Sequence, residues 1–189
     1  MTYARAALAG LVLLAVAGCT GGDPAGGDPS DPPSSASPRA TPSPTPTLAP
    51  PTIPPEAQEH SAQGAAAFVE YYVSLINYAA VSGDTGALAA AATNNCGACA
   101  RLVERYETIY RDGGTSESPG WRPRVTSSQL VKGDFHVTVD VLTASHRYRV
   151  SENAPHQRVK ASTYHDIYRL NWVNAQWAVD LLSEQDTPR

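Results

Sequence analysis

The sequence predicts an α+β domain in which three N-terminal helices pack on a bent antiparallel sheet of about four to five strands. Three observations carry that reading. Apolar residues recur at steps of three and four as far as Tyr110, and they alternate with a period of two after Trp121. The block ahead of Ala57 is too rich in proline to join either pattern. The chain therefore divides into residues 1–18 as an export signal, 19–56 as a linker and 57–189 as one folded domain. At 133 residues the last part is long enough for one core and too short for two.

A single cation, Arg5, precedes an apolar run from Ala6 to Ala17. Those 12 residues fall well short of the about 20 that a membrane-spanning helix needs, so the run reads as the hydrophobic region of a signal peptide. It ends in Val16-Ala17-Gly18-Cys19, which resembles a lipobox. The small residues let an extended backbone enter a signal peptidase, and the thiol of Cys19 accepts a diacylglycerol. The expected address is the outer face of a cell membrane, with the lipid on Cys19 as the anchor. From Thr20 to Pro55 the chain holds 12 of its 16 prolines among Gly, Ser, Thr and Asp. Such a stretch offers too little apolar surface to offset the entropy of ordering and favours extended polyproline II, so it is expected to be a disordered stalk. Fully extended, it reaches roughly 110 Å. Its Thr-Pro repeats also suit O-linked sugars.

In the domain, Ala65, Phe68, Val69, Tyr72, Ile76, Ala79 and Ala80 mark one side of a first helix over 57–81, closed by Gly83. Asp84 is placed to cap a short second helix, Thr85 to Ala92. Leu102, Val103, Tyr106, Ile109 and Tyr110 mark a third, which Asp112-Gly113-Gly114 stops. Past Trp121, a strand from Arg124 to Val131 turns at Lys132-Gly133-Asp134 into one carrying Phe135, Val137, Val139 and Val141 on its buried face. The alternation then slips to Leu142, Ala144, His146, Tyr148 and Val150, which predicts a bulge or bend near Leu142. A loop leads to a long strand, Arg158 to Val173, and a turn at Asn174-Ala175 returns the chain with Trp177, Val179 and Leu181 inward. The helices bearing Phe68, Tyr72, Ile76, Tyr106 and Tyr110 cover a sheet bearing Phe135, Val137, Tyr168, Trp172 and Trp177. These side chains either fill the space between the layers or leave a cavity lined by apolar and tyrosine side chains.

Three helices followed by a bent sheet and the closing hairpin Leu170 to Asp180 resemble the cone-shaped fold of the nuclear-transport-factor-two-like superfamily. The order lipobox, proline-rich stalk, Ala65-Ala66-Ala67-Phe68-Val69-Glu70-Tyr71-Tyr72, Asn77-Tyr78, Ser82-Gly83-Asp84-Thr85 and Cys96-Gly97-Ala98-Cys99 is similar to a family of uncharacterised actinobacterial lipoproteins. That likeness implies an address and no activity, because the superfamily hosts enzymes and binding modules alike.

Charge excludes one class of partner. The domain carries 12 basic against 14 acidic residues, with no basic excess to neutralise phosphates, so nucleic acid is not expected. Residues 57–121 are net −4 and residues 122–169 net +4, which fits two layers with oppositely charged solvated faces or an anionic partner on the second. Cys96 and Cys99 are expected to form a structural disulfide in an oxidising compartment; redox catalysis and metal binding are the competing readings of a Cys-x-x-Cys. No second Cys or His pair at ligand spacing accompanies it, and neither a metal nor a cofactor is expected. Among the histidines, His136 shares a strand face with Asp140 but lies about 13 Å from it along the strand, and His165 and Asp166 point to opposite faces.

The row Tyr164, Asp166, Tyr168 on one strand face is the weak catalytic candidate, since the isomerases of the resembled fold use an aspartate base with tyrosine donors. The bland reading pairs Asp166 with a cross-strand Arg or Lys. The sequence as a whole points to a tethered, non-catalytic binding or interaction module for an envelope protein or a small apolar ligand; an isomerase or cyclase is the alternative. Cys19→Ala is expected to abolish lipidation and processing, and metabolic labelling with a fatty-acid analogue checks it: a variant that still takes the label refutes the anchor.

Overall fold

A computed structural model describes residues 48–184, so the signal segment, Cys19 and the stalk as far as residue 47 lie outside the described residues. Among the described residues no helix is long and apolar enough to cross a membrane. Three helices, α1 (Ala62–Ser82), α2 (Gly86–Ala90) and α3 (Gly97–Arg111), are followed by seven strands. These are β1 (Thr115–Ser116), β2 (Arg122–Val131), β3 (Asp134–Thr143), β4 (His146–Arg149), β5 (Gln157–Val159), β6 (Ser162–Val173) and β7 (Gln176–Glu184).

Helix α1 begins five residues later than the apolar pattern predicts. Pro55–Gln58 instead forms a 3-10 turn, and the Glu59 carbonyl that follows accepts from the backbone N–H of Ser61 and the indole N–H of Trp177. Ser61 then caps the helix, its hydroxyl accepting from Gly64 N–H at 3.0 Å. Gly83 ends it at φ 74°, where a Cβ would lie 2.4 Å from the Tyr110 ring. The buried side of α1 is wider than the predicted stripe, since Val73 and Leu75 join Tyr72 and Ile76 in the core. Asp84 does accept from Gly86 N–H at 3.1 Å, but Ala91 leaves the helix early. Residues Ala91 to Thr93 run beside β7, with Val179 N–H on Ala91 O and Thr93 N–H on Val179 O. Cys96 and Cys99 are disulfide-bonded and buried at the start of α3, where a Cys96 sulfur accepts from Cys99 N–H.

The single bent sheet expected from the sequence is two antiparallel sheets: β2-β3-β6-β7, and a smaller β1-β4-β5. The slip near Leu142 is the point where the chain changes sheets. In β3 the inward alternation runs unbroken through Val141 to Thr143, leaving Leu142 exposed. The chain then leaves at Ala144, whose N–H donates to Pro119 O, while the Thr143 hydroxyl donates to Ser162 O and accepts from Ser162 N–H. True register shifts fall elsewhere, between Val125 and Ser127 and between Arg169 and Leu170. The second makes Asp180 the extra residue of β7, burying it and turning Leu181 outward, where simple alternation had placed Leu181 inside. The predicted strand 158–173 is likewise split into β5 and β6. Asn174 and Ala175, at φ 52° and 60°, make the tight turn into β7.

The core is a continuous cluster of α1, α3 and the inward faces of β3, β6 and β7. A disulfide across two intervening residues closes a short loop and restricts the unfolded chain only slightly. Replacing both Cys96 and Cys99 by Ala is expected to cost about 1–2 kcal/mol in urea unfolding with the circular dichroism spectrum retained. Because the pair is buried, alkylation without reductant must be done in denaturant; two labelled thiols there would refute the bond.

Candidate functional site

The inward face of β6 carries Tyr164, Asp166 and Tyr168 in a row, opposite Val141, Val139 and Val137 of β3. The row has two environments. At its inner end Tyr168 is fully buried and meets the equally buried Tyr72 of α1 edge-on, with ring centroids 6.1 Å apart. Neither hydroxyl has a hydrogen-bond partner. Burial raises the pKa of both, and for Tyr168 the nearby Asp166 adds to it. Asp166 itself is 8% exposed. Its cross-strand neighbours are Val139 and Glu184 rather than the Arg or Lys of the bland reading, and no described residue hydrogen-bonds its carboxylate. Loss of hydration, reinforced by the Glu184 charge and opposed by His165, pushes its pKa up to about 6.

The outer end of the row is open. Tyr164 lines a cavity of about 110 Å³ that forms where the chain changes sheets, together with Tyr106 and Arg105 of α3, Trp121 ahead of β2 and His146 of β4. The hydroxyls of Tyr106 and Tyr164 have no partner among the described residues, and they are not sealed from solvent as those of Tyr72 and Tyr168 are. Trp121 is fixed by Asn77 of α1, whose side-chain amide donates to Trp121 O and accepts from Trp121 N–H, both at 2.9 Å. Its ring lies 6.3 Å from that of Tyr164, centroid to centroid. Behind it, Gly120 sits at φ 57°, a conformation that favours glycine, and a Cβ there would press on Ala144. The sequence places Tyr106 on a helix stripe and His146 and Tyr164 on strands, but only the change of sheet brings them to one cavity. Of the other expected cavity-lining side chains, Tyr72, Ile76 and Val137 are instead buried in the core, whereas Phe68 and Trp177 line a separate groove.

Several polar groups outside this row are paired, while Arg149 Nε and Asn171 Oδ1 are buried without a partner. On the outer face of the larger sheet, Asp140 accepts from the guanidinium of Arg124 and pairs with His165 Nδ1 at 2.7 Å, and these two contacts hold its pKa down. The relevant histidine is thus across the sheet, not His136 along the strand; the β3–β6 pairing that joins them spans a sequence gap with no local signal. Asp180 accepts from Thr93, Asn95 and Arg169, bonds that lower its pKa and tie the α2–α3 loop to β7. His60 stacks on Trp172 at 4.8 Å beside an apolar groove lined by Ile53, Phe68, Tyr71 and Trp177. Among the described residues no three His, Cys, Asp or Glu side chains converge as metal ligands.

A family model described as a family of unknown function, DUF6318, matches residues 35–183. No curated protein matches the chain significantly in sequence. Among solved structures, the intermembrane space region of the chloroplast protein ARC6 is similar at a TM-score of 0.52 and 14% identity, over 68% of this chain and 99% of that one. At that identity the likeness concerns the fold alone.

The raised pKa of Asp166 has a sign. Between about pH 4 and pH 6 the folded protein keeps a proton that the unfolded chain releases, so the contribution of Asp166 to stability falls as pH rises through that window and is flat above it. Asp166→Asn is expected to stabilise the protein at pH 8 by about 2–3 kcal/mol and to do little at pH 4. Urea unfolding at both pH values checks it, and an equal difference at the two would refute it.

Proposed function

The chain belongs to DUF6318, a family of unknown function, and we propose that it is a membrane-tethered, non-catalytic binding module of the cell envelope. One observation supports binding over catalysis. The carboxylate that a cone-fold isomerase would use as its base, that of Asp166, lies outside the cavity that Tyr106 and Tyr164 line, and no carboxylate is among the lining residues of that cavity. Size points the same way. A volume of about 110 Å³ is well below the roughly 300–1,000 Å³ of pockets that enclose drug-sized ligands, so a ketosteroid-like body does not fit this cavity; the groove beside Ile53 and Trp177, at about 370 Å³, is larger but has no carboxylate in its lining.

The tether is the lipid on Cys19, set by the lipobox Val16 to Cys19, with the proline-rich stalk carrying the domain outward from the extracytoplasmic face. We read the two-layer arrangement as a cone of the nuclear-transport-factor-two-like type and the chain as an actinobacterial lipoprotein, on the motifs quoted above. The second reading, an isomerase or cyclase with Asp166 as base, is favoured by the burial and raised pKa of that residue and opposed by its place outside the cavity that Tyr106 and Tyr164 line.

The two readings part in one assay. Purified protein offered a ketosteroid or a small polyketide-like ketone is expected to give no isomerisation above the buffer rate, and a rate that disappears in Asp166→Asn would replace the binding module with an enzyme.

A further inference from the structure

We propose that the cavity between α3, the β3–β4 corner and β6 is a carboxylate site, taking a short aliphatic monocarboxylate or the carboxylate end of a peptide. The inference rests on the binding-module reading and names the ligand class of the same site.

The cavity lining contains no acidic residue. It does contain hydrogen-bond donors that the protein leaves unspent. The hydroxyls of Tyr106 and Tyr164 and the indole N–H of Trp121 have no partner among the described residues. His146 Nδ1 is turned to the Ala144 carbonyl at 3.1 Å, which fixes the ring and leaves Nε2 without a partner among the described residues. Arg105, an exposed residue that contributes to the lining, has its guanidinium carbon 5.2 Å from the centroid of the Tyr148 ring, which lies outside the lining; that contact does not neutralise the cation. No described carboxylate forms a salt bridge with it. Unspent donors beside a cation with no salt-bridge partner call for an acceptor of single negative charge with several lone pairs, and a carboxylate supplies about four acceptor sites.

The remaining walls set the rest of the ligand. Leu102, Pro119 and Val159 are apolar, so they suit hydrocarbon rather than a second charge. The volume of about 110 Å³ equals roughly three to four waters, which limits the enclosed part to a chain of a few carbons. A phosphate monoester has donors enough here but brings a second charge against one arginine. A longer ligand must leave its remainder outside.

The test uses the mature lipidated protein in detergent with 15N-labelled tryptophan, following the Trp121 indole N–H resonance assigned by Trp121→Phe. Butyrate is expected to shift it saturably, while butyramide of the same shape and inorganic phosphate do not. Arg105→Gln should weaken butyrate about tenfold or more and Tyr164→Phe a few-fold, with the melting temperature of each variant reported alongside. Ala-Ala-Ala with a free C-terminus, compared with its amide, separates the two sources: tighter binding of the free peptide than of butyrate assigns the site to peptide ends, and the reverse assigns it to free acids. Butyramide or phosphate binding as well as butyrate overturns the carboxylate assignment and leaves a binding module standing. No saturable shift with butyrate or the peptide also overturns it. Chemical conversion of a bound probe would instead overturn the non-catalytic reading itself.

Discussion

The burial of α1 against the larger sheet is the constraint on which the rest of this domain depends. Tyr72, Ile76, Val69 and Ala79 have no exposed surface, and the ring of Tyr72 is set edge-on against Tyr168 from the sheet. Packing of this density leaves two hydroxyls unpaired in the interior, each of which carries a desolvation cost of about 1–3 kcal/mol. The aromatic area buried by each ring offsets that cost. Because α1 cannot move without reopening this contact, its other side chains act from fixed positions. Asn77 is the one with the longest reach, holding the backbone of Trp121 from 44 residues away.

That fixed backbone matters because the sheet changes next to it. Thr143 and Ser162 close the corner of the larger sheet with two hydrogen bonds, Pro119 takes the N–H of Ala144, and the chain turns away into β4. Six segments meet there without any one of them filling the gap. The result is a cavity of mixed polar and apolar lining at the edge of a tightly packed core, which is where a small domain has room for one: its centre is needed for stability, whereas a junction between sheets is already a place of imperfect packing.

Much of the scaffold is legible in the sequence. The apolar steps in α1 and α3, the alternation in β3 and the Asn174-Ala175 turn each depend on neighbours a few residues away, and periodicity reads such relations well. Periodicity misreads the parts that distant partners decide. The start of α1 depends on Trp177 holding Glu59, more than a hundred positions along the chain. The inward turn of Asp180 depends on a bulge whose three polar partners lie in other elements. The site was half visible. Tyr164, Asp166 and Tyr168 do share a face, but their chemistry is set by what covers each one, and alternation carries no information about that. Arg105, Tyr106 and His146 each fit an ordinary place in a helix or strand, and nothing local marks them as neighbours.

The segment Ala91 to Thr93, lying alongside β7, has a bearing on how copies of the protein coexist. A strand at the rim of a sheet is a template for another chain, and tethering to one surface would bring such rims close together. Here one rim is occupied by the protein's own backbone through Val179, and the opposite rim, β2, carries Pro123, Arg122 and Arg124 and is kinked between Val125 and Ser127. Proline withholds a donor, Arg122 repels its like, and the kink breaks the register that strand-to-strand growth requires. The two rims of the larger sheet thereby resist pairing with a second chain.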